Sequence, residues 1–184
     1  MNTKPILNTL SGLIGFLIPA LFALDIYVNH LNLNFATWLM ALILDVLGVV
    51  LAYKAGNKKP YLQIGWLVAA ICIVIAILTN GSVWNWGWIE SACFALSLIS
   101  VVLWLTKSAE VGTWFYLAAM YISFAPQAVN YWHAPQLSTW YVWAGSALAC
   151  ALAVIAAEKR DIGHILTPVA AALMNLSILV LLFR

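Results

Sequence analysis

Charge is what this sequence has least of. Asp, Glu, Lys and Arg make up 8% of its 184 residues, where a soluble domain carries roughly a quarter, and so few charges cannot clothe a water-facing surface. From Val111 to Ala157 there is no formal charge at all, which leaves room for two membrane spans of about 20 residues each. No tract remains from which a separate soluble domain could be built. Cysteine is also scarce: Cys72, Cys93 and Cys150 lie in apolar runs without Cys-x-x-Cys spacing or paired histidines, so they read as small packing residues. No metal and no cofactor is expected. Gly-x-Ser-x-Gly, His-Glu-x-x-His and Walker sequences are missing, which argues against an enzyme and against ATP-driven work. The last apolar run has no lysine to hold a retinal. A net charge of +2, with no basic stripe interleaved with aromatics, gives no basis for nucleic acid as a partner.

What is present is apolar residue in quantity, 65% of the chain. The expected fold class is all-α: a polytopic membrane protein with seven transmembrane helices at about 9–28, 35–53, 61–79, 87–105, 111–132, 139–157 and 162–183. The first run is long enough to span and is read as a retained helix rather than a cleaved signal. Connectors such as 29–34 and 80–86 carry Asn and Gly and are short, so consecutive helices are antiparallel neighbours. Lys4, Lys54, Lys58, Lys59, Lys107, Lys159 and Arg160 then all fall on one side, and only Arg184 on the other. Because basic loops stay in the cytoplasm, the expectation is a multi-pass protein of a bacterial inner membrane, N-terminus cytoplasmic and C-terminus outside. Most of the ten tryptophans fall near the interfaces, where indole rings anchor membrane proteins.

The chain also resembles itself. Phe35-Ala36-Thr37-Trp38 and Leu137-Ser138-Thr139-Trp140 each open a helix after a short loop, 102 residues apart from Thr37 to Thr139. At the same offset Asn57-Lys58-Lys59 aligns with Lys159-Arg160-Asp161, and each Thr-Trp site follows a helix with an internal proline, Pro19 or Pro126. This divides the chain into a first three-helix repeat (1–80), a linker helix (81–110) and a second repeat (111–184). Three helices reverse the direction of the chain, and one extra crossing restores it, so the two triples are parallel. A solute site then lies between them near the midplane.

This 3+1+3 layout, with Pro126-Gln127 in helix 5, resembles the PQ-loop superfamily and its SWEET sugar transporters. It is also similar to the PnuC vitamin transporters, whose paired tryptophans in helix 6 resemble Trp140 and Trp143. Either resemblance implies a transporter that moves a small polar solute, a sugar or a vitamin-like molecule, by alternating access, passive or proton-coupled. Some PQ-loop relatives instead recognise cargo, so a membrane receptor or assembly factor is the alternative. The partners implied are the small-molecule substrate and the lipid bilayer, with a homo-oligomer compatible with the small-residue run Ala170-Ala171-Ala172.

Individual residues carry these expectations. Pro19, Pro126 and Pro168 remove backbone hydrogen bonds and so mark candidate hinges, although Pro168 also suits a helix start. Gln127, Asn130 and Asn175 are amides in apolar helices and must face another helix or a polar cavity. Asn175, the deepest of them, is the preferred solute contact, with Trp143 and Tyr121 offering aromatic faces. Asp45 lies about ten residues into helix 2, at a depth where a carboxylate marks a proton relay, a cation site or a buried hydrogen bond. Asp25, nearer the outer surface, is the second candidate for proton coupling. Glu90 and His133 read as solvated.

Overall fold

The computed structural model describes residues 3–31, 33–81, 83–133, 139–160 and 162–184, with the side chains of 126, 127, 130, 162 and 163 outside that description. The described residues form α1 (Lys4–Asn29), α2 (Phe35–Lys54), α3 (Tyr61–Thr79), α4 (Trp88–Thr106), α5 (Ala109–His133), α6 (Trp140–Ala156) and α7 (Thr167–Leu182). A π-helical turn, Ile162–Leu166, leads into α7. These are the intervals the apolar runs predicted, moved by a few residues at most except where α1 begins five residues earlier and α7, after the π turn, five residues later. Among the described residues, five helical stretches, α1 to α4 and His164–Leu182, are long and apolar enough to cross a membrane, and α6 is a shorter apolar helix of 17 residues. The molecule is therefore an all-α, multi-pass membrane protein.

Its outer surface requires that solvent. Leu13, Leu17, Leu21, Leu24 and Val28 follow one face of α1 at intervals of three and four residues, each at least half exposed. A stripe four turns long of that kind is unstable in water and natural in lipid, where helices satisfy their own backbone bonds. Local chemistry sets the helix ends. His30 closes α1 in the left-handed region (φ 51°), and Asn34 caps α2 by accepting from the Ala36 amide at 3.1 Å.

Helix order is not sequence order. α3 packs between α1 and α2, and α7 packs between α5 and α6. The two sets meet where α1 lies on α6 and α2 on α5, so six helices form a closed circuit of neighbours, and α4 rests outside it against α5 and α2. Small residues allow these approaches. A Cβ on Gly65 would collide with the Gly12 carbonyl oxygen, so α1 and α3 touch backbone to backbone. Hydroxyl groups clip neighbouring helices: Ser11 Oγ donates to the Ala149 carbonyl, Ser100 Oγ to that of Gly112 and Tyr121 Oη to that of Ala170, each at 2.7 Å. Between the two sets, Met40, Leu44, Leu47, Tyr116, Met120, Cys150 and Met174 belong to one apolar core.

Glu90 corrects one expectation. It is buried rather than solvated, at 6% exposure. Its carboxylate accepts from Thr37 Oγ1 at 2.6 Å and from the Gly87 amide at 2.9 Å, while Asn34 Nδ2 donates to the Asn85 carbonyl at 2.7 Å. The sequence around Glu90 is that of a helix start, and only the approach of the α2 start makes it a clasp joining α2 to α4.

Candidate functional site

A cavity of about 290 Å³ opens at the lysine-bearing end of the helices, between the first turns of α1 and α3, the last turn of α6 and the start of α7. Lys4, Asn8, Lys59, Gln63, Glu158 and His164 give it its polar lining. Two fixed bonds shape the rim. Lys4 Nζ donates to the Ala157 carbonyl at 3.0 Å, and Asn8 Nδ2 to that of Lys59 at 2.9 Å.

Gln63 is the notable group. It is 4% exposed, yet its amide has no hydrogen-bond partner among the described residues. Among the described residues no fully occluded side-chain nitrogen or oxygen is left unpaired, so the small exposure Gln63 retains includes its amide, and the cavity is where that amide looks. A buried amide without a partner costs about 1–3 kcal/mol, which a ligand able to donate or accept would recover. Across the cavity stands His164, 8% exposed and engaged within the fold. It lies in the π-helical turn, four residues before the fully buried Pro168. Proline has no amide to offer and its ring crowds the carbonyl four residues earlier, so the wider turn relieves that crowding at His164. Single π turns of this kind recur at functional sites.

From the cavity one face of α7 runs inward through Pro168, Ala171 and Asn175 to Ile178 and Leu182, all buried, at the spacing of three and four that keeps side chains on one side. Asn175 Nδ2 donates to the Ala171 carbonyl of its own helix at 2.7 Å. Its Oδ1 accepts nothing among the described residues and, by the same reasoning as for Gln63, keeps a little free space. Beyond it, Ile178 and Leu182 join Trp143 and Tyr131 in an apolar cluster. Trp143 Nε1 donates to Tyr131 Oη at 3.3 Å, that hydroxyl lies 2.8 Å from Thr139 Oγ1, and Phe124 meets the Trp143 ring edge-on at 5.8 Å. Asn175 and Trp143 thus lie on the continuation of the cavity face, with Trp143 in the packing that closes its far end.

Other sequence-predicted residues lie elsewhere. Tyr121 is 42% exposed and donates to Ala170, a clip between α5 and α7. The side chains of Pro126, Gln127 and Asn130 lie outside the described residues, though α5 runs unbroken through all three. Pro19 sits within a continuous α1, and Pro168 at the start of α7. Asp25 pairs with Asn29 on the last turn of α1. Asp45, partly exposed, accepts no hydrogen bond among the described residues and stands within electrostatic reach of the buried Tyr116, whose hydroxyl rests against Gly48 one turn further along α2. Sequence reasoning missed Gln63 and His164, because both lie close to basic loops, where polar residues ordinarily meet water. The signal that was available is the pairing of Pro168 with a histidine four residues earlier.

Comparison with known proteins adds no relative: no family model matches the chain, and no curated protein or solved structure matches it significantly.

Proposed function

We propose that the chain is a transporter that moves a small polar solute between its two three-helix halves by alternating access. The observation that carries this reading is the Gln63 amide, buried and unpartnered on a cavity where α1 and α3 of one half meet α6 and α7 of the other. A purely structural glutamine would bond a neighbouring helix. The like packing order of the halves supports the 3+1+3 repeat, as does the position of α4 outside the circuit of six.

On this reading the state described is open at the lysine-bearing end, which the charge pattern assigns to the cytoplasm, and closed at the other by Trp143, Tyr131, Ile178 and Leu182. Solute enters beside Gln63 and His164, passes Asn175, and leaves when the halves rock about α1 and α5, with Pro19 and Pro126 as hinges. Asp45 is the group available for proton coupling. It lies mid-helix without a fixed partner, so a proton on it changes the charge facing Tyr116 at the junction of α2 and α5.

Uptake of sugars, nicotinamide riboside, thiamine, nucleosides and small carboxylates into sealed vesicles holding the purified protein tests the proposal. Saturable flux of one solute, reduced in Asn175→Ala, is expected, and any gradient dependence should vanish in Asp45→Asn. Binding without flux would make the protein a receptor instead.

A further inference from the structure

We infer that the solute taken by the Gln63 cavity is a small monoanionic carboxylate. The inference deepens the transporter reading and rests on it for the solute's fate, but not for its binding. It begins with helix direction. The cavity is lined by the first turns of both α1 and α3, and neither start has a side-chain cap. The first amides of a helix have no partner within it and carry about half a positive charge at that end. Two such ends therefore border one cavity, although Pro5 has no amide hydrogen and the Tyr61 amide already donates to the Lys59 carbonyl at 2.8 Å. The unpartnered Gln63 amide, two residues inside the first turn of α3, supplies a buried hydrogen-bond donor in the same place.

Fixed charges decide the sign and number. Lys4 is held on the carbonyl end of α6 through Ala157, where it offsets the negative end of that helix. Glu158 is exposed at the rim and balances one lysine. With Glu158 set against Lys59, the two helix starts remain, a surplus near one positive charge, which suits a monoanion and disfavours a divalent one. The volume of about 290 Å³ lies at the lower end for small-molecule sites, and the amide of Gln63 can donate to one carboxylate oxygen while accepting from a hydroxyl beside it. A neutral polyol would leave the helix starts unanswered.

Binding is measured by calorimetry on the purified protein in neutral detergent, with lactate, inorganic phosphate, glucose and phosphatidylglycerol as probes. Lactate is expected to bind saturably, and more tightly than phosphate or glucose. Gln63→Leu should weaken it about tenfold or more, the scale of a lost hydrogen bond to a charged group. Lys59→Gln should weaken it several-fold, and Lys107→Gln, at the same end but off the cavity, should leave it unchanged. Tighter binding of glucose, of phosphate or of phosphatidylglycerol alone would overturn the inference. So would lactate binding that Gln63→Leu does not alter, or that Lys107→Gln weakens as much as Lys59→Gln. Flux is read separately in vesicles: lactate that binds without crossing removes the transporter reading and leaves the site, while glucose that binds and crosses removes the carboxylate and leaves the transporter.

Discussion

At the scale of single residues, buried polar groups divide by whether the fold already satisfies them. Tyr121 is satisfied, so Tyr121→Phe should cost the clip to Ala170, about 0.6 kcal/mol and at most about 1.7, read as a small fall in melting temperature with solute binding intact. Gln63 is not satisfied, so Gln63→Leu removes no internal bond. Its melting temperature should stay level or rise while binding weakens about tenfold or more, and a large loss of stability would show that the amide has a structural partner after all. The sequence made one of the two deep amides visible and hid the other. Asn175 stands out because its helix is apolar on both sides, whereas Gln63 lies four residues from Lys59 and reads as a residue near water. Only the packing of α3 against α1, beside α6 and α7, encloses it. Glu90 was misread for the same reason: a carboxylate at a helix start is ordinarily wet, and its enclosure by Thr37 and Asn34 depends on residues more than fifty positions away.

At the scale of elements, two features carry testable consequences. Gly65 permits backbone contact with Gly12, and a side chain there has only main chain to displace. Gly65→Val should therefore destabilise by about 1–3 kcal/mol, the usual cost of overpacking, measured by unfolding in a denaturing detergent, and an unchanged midpoint would mean that α1 and α3 are not in contact. Pro168 maintains the π turn at His164. Pro168→Ala restores an amide, lets the turn tighten to α-helix and rotates His164 away from the cavity, so lactate affinity should fall with little change in stability. Undiminished affinity would separate the turn from the site. Helix positions were legible because uninterrupted apolar runs bounded by Asn, Gly and Lys leave few alternatives. The π turn was not, since Ile162 to Leu166 has ordinary helical composition and only the proline after it hints at a wider turn.

At the scale of the whole molecule, the lysine distribution and the packing order make separate predictions. If the basic end is cytoplasmic, a membrane-impermeant amine reagent applied to sealed, right-side-out vesicles should leave Lys58 and Lys107 unlabelled until the membrane is opened, and labelling before that would reverse the orientation. The order in which the helices pack was beyond the sequence. Short loops imply that α1 lies beside α2, whereas α3 comes between them, because the glycine contact of Gly12 with Gly65 makes α1 and α3 the tightest pair. The central claim, that a solute crosses between the two halves by way of the Gln63 cavity, is tested most directly by counterflow. Vesicles holding the purified protein are loaded with unlabelled solute, and entry of the labelled form is followed without any gradient of total solute. The account predicts transient accumulation of label in the wild-type protein and none in Gln63→Leu that melts at the wild-type temperature. Equal accumulation in the two proteins, or none in either despite measured binding, would contradict it.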